Sequence, residues 1–213
     1  GKEDILIKTI EKDATKTIED ARIELYKRLR PGEIPSQEGI SQLIESTFYD
    51  DKKYNFMRVG RYKVNKKLAL ATRIEGHTLA KDVVSADGEV LAEQGQVVDI
   101  ETAQAIQNAG VNVVYLKKKI VKEGESEEFK VIGNNTVDMI EYLKSYYGDN
   151  IDFTAKDLGI LEKVYTPALI KLTQENQDLE ELKKAIKLPE NRDKLVIKNL
   201  TLDDVVATVS YNL

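Results

Sequence analysis

Apolar side chains at Ile18, Ala21, Leu25 and Leu29 recur at steps of three and four. That spacing predicts an amphipathic helix, with Asp13 or Thr15 as N-cap and Pro31 as terminator. Ser36 is placed to cap a second helix, in which Ile40, Leu43, Ile44 and Phe48 share a face. Residues 49–68 then lose clean periodicity. After Leu68 the pattern changes to short Val/Leu runs around Asp87-Gly88, a hairpin signal, with a second turn at Gln94-Gly95. A compact helix follows, capped by Asp99, with Ala103 and Ile106 inward and Gly110 as its stop. "VNVVYL" (111–116) and "FKVIGN" (129–134) read as strands. Between them, Lys117–Lys119 and the acidic 123–128 run form a solvated tip. From about residue 135 the pattern is helical again in "NTVDMIEYLKSYYG", "TPALIKLT" and "DLEELKKAIK", each closed by Gly, a polar run or Pro189. A last helix starts at Thr201, whose hydroxyl reaches amides near Asp204. The order helices, small β-rich module, helices implies an α+β fold.

Composition narrows the class. With 213 residues, 41% hydrophobic and 32% charged, the chain is long enough for one or two domains with real cores. No apolar run approaches the roughly 20 residues of a membrane-spanning helix, and no signal-peptide pattern opens the chain. The absence of cysteine excludes disulfides and thiolate metal sites, and the single histidine, His77, excludes a histidine-rich centre. A cytoplasmic location fits. The start at Gly1, a cloning remnant in this reading, and the stop inside an apolar helical pattern lead us to expect a piece of a larger protein.

The net charge of −5 hides an asymmetry. Residues 1–67 hold 15 Lys/Arg against 12 Asp/Glu, whereas the remainder carries a net −8. Within residues 50–67, seven bases face two acids. These bases interleave with Tyr49, Tyr54, Phe56 and Tyr62, a mixture suited to phosphate contact and base stacking, and equally to a surface helix end anchored by its aromatics. Lys27, Arg28 and Arg30 likewise suit either a helix C-terminus or an approaching anion.

No phosphate loop, GxGxxG, HExxH or GxSxG motif is present, so no residue is assigned a catalytic or metal-binding role. The adjacent pairs Asp203-Asp204 and Asp50-Asp51 point in different directions on a helix and read as capping or structural groups. His77, with no acidic or nucleophilic partner in sequence, reads as a surface or packing residue.

Three stretches, "IEDARIELYKRLRPGEIPS", "STFYDDKKYNFMRVGRYKVNKKL" and "LTLDDVVATVSYNL", strongly resemble the bacterial RNA polymerase β subunit in its lobe. The carrying motif is R-P-G-E followed by Y-N-F-x-x-V-G-R-Y-K-V-N-K-K-L. The resemblance covers residues 3–68 and 199–213 directly. The stretch between, about 69–187, resembles a lineage-specific insertion of the kind carried by some bacteria, notably Firmicutes-like lineages. Its core around residues 79–117 is similar to the small sandwich-barrel hybrid modules of large polymerase subunits.

The resemblance implies a helical lobe body over 1–68 and 188–213, an inserted β-rich module over 69–134, and a helical connection over 135–187. It implies a non-catalytic wall of the DNA channel, facing downstream duplex and the non-template strand. Arg30, Lys52, Lys53, Arg61 and Lys63 are then the expected DNA contacts, with Lys53 standing where relatives commonly carry arginine. A point charge survives that difference; fork-like bidentate bonding does not. Implied partners are DNA, the β remainder, β′, α and sigma factor, and a regulator of the insertion, with no membrane. The family's catalytic magnesium belongs to the β′ subunit, so no cofactor is expected in this chain, although its parent complex is a nucleotidyltransferase. The alternative is a free-standing regulatory or ligand-binding accessory domain, since units like residues 77–117 also occur in that setting.

Overall fold

The computed structural model describes residues 2–213 apart from 51, 54, 122 and 125. Gly1, Asp51, Tyr54 and Glu125, singled out above, lie outside the described residues. The chain divides into two compact units, residues 1–55 with residue 213, and residues 56–212.

The first unit is helical: α1 (Lys2–Glu11), α2 (Ile18–Leu29) and α3 (Gln37–Ile44), the last running into a π-helical turn at Glu45–Tyr49. The N-cap of α2 is Thr17 rather than Asp13 or Thr15. Thr17 Oγ1 accepts from the Asp20 amide at 3.1 Å, and the Asp20 carboxylate accepts from the Thr17 amide at 3.1 Å, a reciprocal capping box. Asp13 and Thr15 bond each other instead, through the Thr15 amide at 2.9 Å and hydroxyl at 2.7 Å. Ser36 caps α3 as expected, accepting from the Gly39 amide at 3.1 Å. The predicted stripe of α2 exists but finds no core in this unit: α2 has no buried residue, and Ile18 is 74% exposed.

The second unit holds two cores. The first is made by α5 (Leu70–Ile74), the hairpin β1 (Val83–Val84) and β2 (Val90–Ala92), α6 (Ile100–Asn108), and the hairpin β3 (Val113–Lys117) and β4 (Glu128–Ile132). Leu79, Ile106 and Leu116 are fully enclosed in it. The turn after Ser85 closes as expected, with Gly88 at φ +86°, a conformation that disfavours side chains with a Cβ. Asp99 caps α6 through the Thr102 amide at 2.7 Å. The ladders β1-β2, β3-β4 and β5 (Thr136–Val137)-β6 (Val164–Tyr165) are each antiparallel and two-stranded. Single bridges at Thr78–Val97 and Leu79–Leu116 link segments of the first core.

The second core lies within residues 137–195. It is built from α7 (Met139–Tyr147), α8 (Thr166–Glu175), α9 (Leu179–Lys187) and α10 (Pro189–Leu195), around Leu143, Leu169, Leu182 and Ile186. Pro189 opens α10 instead of merely ending α9, because its fixed φ suits the first helical position and its missing N–H is not needed there.

Two further helices complete this unit: α4 (Met57–Leu68) and α11 (Leu202–Asn212), which pack on each other. Thr201 caps α11 as expected, accepting from the Asp204 amide at 3.1 Å. The sequence-based boundaries near residues 68, 134 and 187 therefore differ from the observed division at 55/56. Within the second unit the core changes near residue 134.

Candidate nucleic-acid interface

In the first unit, α2 ends at Leu29 because Pro31 and Gly32 turn the chain, Gly32 at φ +88°. This turn presents Arg30 at a cleft of about 1000 Å³, which is also lined by Tyr26, Glu33, Gln42, Glu45 and Lys53. Arg30 lies 3.8 Å from Glu33, an exposed and therefore weak pair. Tyr26 Oη donates to Glu33 at 2.8 Å, and this bond raises the phenol's pKa. The opposite corner is set by Asp50. Its carboxylate accepts from the Lys52 amide at 2.9 Å, and its carbonyl accepts from the Lys53 amide at 3.0 Å. The fold thus brings Arg30 and Lys53 to one cleft although 23 positions separate them in sequence. Three carboxylates, Glu33, Glu45 and Asp50, share the lining. An anion here would meet both signs of charge, with the two cations as its only charged donors among the described lining residues.

Lys63 is exposed on α4 in the second unit. Arg61, expected at the same surface, is not there. Its side chain is 6% exposed and is paired with Asp204, which is 1% exposed. Nη1 of Arg61 donates to both Asp204 oxygens at 2.9 and 2.8 Å, Nε donates to the Ile197 carbonyl at 3.0 Å, and Nη2 donates to the Asn199 carbonyl. Phe56 covers the guanidinium, with its ring centroid 4.9 Å away. With Nε, Nη1 and Nη2 each bonded within the protein and the side chain almost fully buried, the guanidinium is not presented to a phosphate. Arg61 is therefore a structural group that fastens α4 to α11, and the DNA-contact assignment is corrected accordingly.

The two aspartates of 203–204 diverge as their adjacency requires. Asp204 also accepts from Asn134 Nδ2 at 3.0 Å and from the Thr201 amide at 3.0 Å. Asp203 accepts from Asn135 Nδ2 at 2.8 Å and from the Tyr165 hydroxyl. Burial, and then that bond to a carboxylate, push Tyr165 up to about 12. Asn134 Nδ2 donates to Asn65 Oδ1 at 3.0 Å, so α4, α11 and the segment leading into β5 meet in one polar cluster. A second stitch is Arg73, which donates to Ser210 Oγ at 2.9 Å and to the Ile132 carbonyl. These roles were not anticipated from sequence. The available signal was the spacing Arg61, Asn65, Leu68, a buried face written mostly in polar residues.

His77 is half-buried, with Nδ1 3.0 Å from the Glu75 carbonyl and its ring edge-on to Phe129, consistent with packing. Among the described residues, no group of three or more His, Asp or Glu side chains could hold a metal ion. No described helix is long and apolar enough to cross a membrane.

Comparison with known families agrees with the fold. Residues 2–95 match the family model described as RNA polymerase Rpb2, domain 2, which gives the class: an RNA polymerase Rpb2-type domain. The chain is 43% identical over 212 residues to the DNA-directed RNA polymerase subunit beta of Clostridioides difficile, covering 99% of the chain. It is 45% identical over 214 residues to that of Clostridium acetobutylicum and 42% identical to that of Clostridium novyi, each covering 100% of the chain. Along its whole length the chain is thus similar to bacterial RNA polymerase β subunits. It spans 16% of the length of these relatives. The family model runs through residues 69–95, and the relatives align across 69–187 as well, so the β-rich stretch is shared with them.

Proposed function

We propose that this chain is a non-catalytic wall of the DNA channel in a bacterial RNA polymerase, near downstream duplex and the non-template strand. Whole-length identity to β subunits carries the reading. Arg30, Lys52, Lys53 and Lys63 are exposed and remain the phosphate-contact candidates. Arg30 and Lys53, which share a cleft, lead that group. In this reading residues 69–187 form a surface-exposed module on the lobe, open to a regulator. The partners are the β remainder, β′, α, sigma factor and DNA, and the setting is the cytoplasm. Nucleotidyl transfer and its magnesium belong to the β′ subunit. The apolar positions left open on α2 suit a segment that packs against the rest of a larger subunit.

The test uses assembled polymerase carrying Arg30→Ala and Lys53→Ala in the full-length subunit. Each lost phosphate contact makes the logarithmic salt dependence of DNA affinity shallower by roughly 0.7–0.9. Neutralising Lys117–Lys119 serves as control and leaves complex lifetime nearly unchanged. A control that loses as much stability as the cleft variant contradicts the proposed surface.

A further inference from the structure

Sulfur is scarce in this chain, which has no cysteine and two methionines, Met57 and Met139. Their thioethers are therefore the side chains that a two-electron oxidant such as hydrogen peroxide converts most readily. The fold treats the two differently. Met139 opens α7 and lies inside the second core with Leu143 and Leu169, 2% exposed. Met57 opens α4 and is 73% exposed. Its backbone sits at φ +53°, a left-handed conformation uncommon for a residue with a Cβ. The residue before it is held inward: the Phe56 amide donates to the Lys198 carbonyl at 2.9 Å, and the Phe56 ring covers the Arg61 guanidinium. A fixed anchor thus precedes the reversal, and the Met57 thioether is left in solvent.

We propose that Met57 is a reversible oxidation site for hydrogen peroxide, and that the fold withholds Met139 from the same reaction. The thioether sulfur gives a lone pair to one peroxide oxygen and the O–O bond breaks. The leaving hydroxide takes the proton of the transferred oxygen and departs as water. Sulfur is oxidised by two electrons to the sulfoxide, and the peroxide is reduced by the same two. A thiol-dependent sulfoxide reductase reverses the step. Position 57 tolerates the product, because a polar S–O group there stays hydrated and disturbs no core. At Met139 the same group would lie among aliphatic side chains away from water, which penalises it. The proposal stands on α4 and α7 and does not depend on the DNA-channel reading.

The test exposes polymerase assembled with the full-length subunit to dilute hydrogen peroxide, quenches it over a time course, and maps the peptides by mass spectrometry. Met57 is expected to gain one oxygen about tenfold faster than Met139, and a methionine sulfoxide reductase should remove it. In urea the two rates should converge, since burial alone separates them. Met57→Leu should abolish the modification in the α4 peptide and leave Met139 as slow as before. Protection of Met57 in the assembled enzyme, or equal rates at the two methionines in the folded state, would overturn the proposal. So would a rate difference that persists in urea, or a product that the reductase cannot remove.

Discussion

Replacing Asp204 by alanine is expected to destabilise the second unit by about 3–5 kcal/mol, the cost of leaving a buried partner charge uncompensated. The carboxylate accepts from Arg61, Asn134 and the Thr201 amide, so its removal strands a guanidinium that is 6% exposed. It also removes half of the capping box that starts α11. The pair need not be a net stabiliser over an apolar substitute, because desolvation opposes its Coulombic gain. The double variant Arg61→Met/Asp204→Leu should therefore lose less than the two single changes combined, with a coupling in the range of about 0.5–3 kcal/mol. Urea unfolding followed by far-ultraviolet circular dichroism measures all four corners. Strictly additive losses would mean that Arg61 and Asp204 do not act as a unit.

The second large effect concerns the two cores of residues 56–212. Ile74 is fully buried in the first and Leu143 in the second. Truncating either to alanine removes buried methyl groups and leaves a cavity, with a cost of about 2–5 kcal/mol. Both cores belong to one compact unit, and α6, of the first, packs against α7 and β5 at the edge of the second. Each truncation should therefore move the same main transition to lower urea, without splitting it. A biphasic curve, in which Ile74→Ala shifts one phase and Leu143→Ala the other, would show that the cores unfold independently.

What the sequence disclosed follows from which residues do the burying. Ser36, Asp99 and Thr201 announced their helices because a side-chain oxygen two or three positions before an amide is a local device, readable without knowledge of the fold. The Asp87-Gly88 turn was readable for the same reason. Helix α4 was not legible, since two of its three buried positions are Arg61 and Asn65, and apolar periodicity cannot register a buried face made of polar groups. Nor could charge composition separate Arg61 from Arg58, three residues away. One is enclosed with Asp204, and the other lies 70% exposed against Glu162. Pairing across 143 positions is a tertiary fact. The cleft shared by Arg30 and Lys53 was half legible: both charges stood out in sequence, but the carboxylates that line the same space did not.

Photo-crosslinking from defined positions tests the central claim most directly. A photoreactive residue is placed at position 30, 53 or 119 of the full-length subunit, polymerase is assembled, and a promoter complex is irradiated. The DNA-channel reading predicts adducts to downstream or non-template DNA from positions 30 and 53 and none from position 119. Adducts from position 119, with none from 30 or 53, would contradict it.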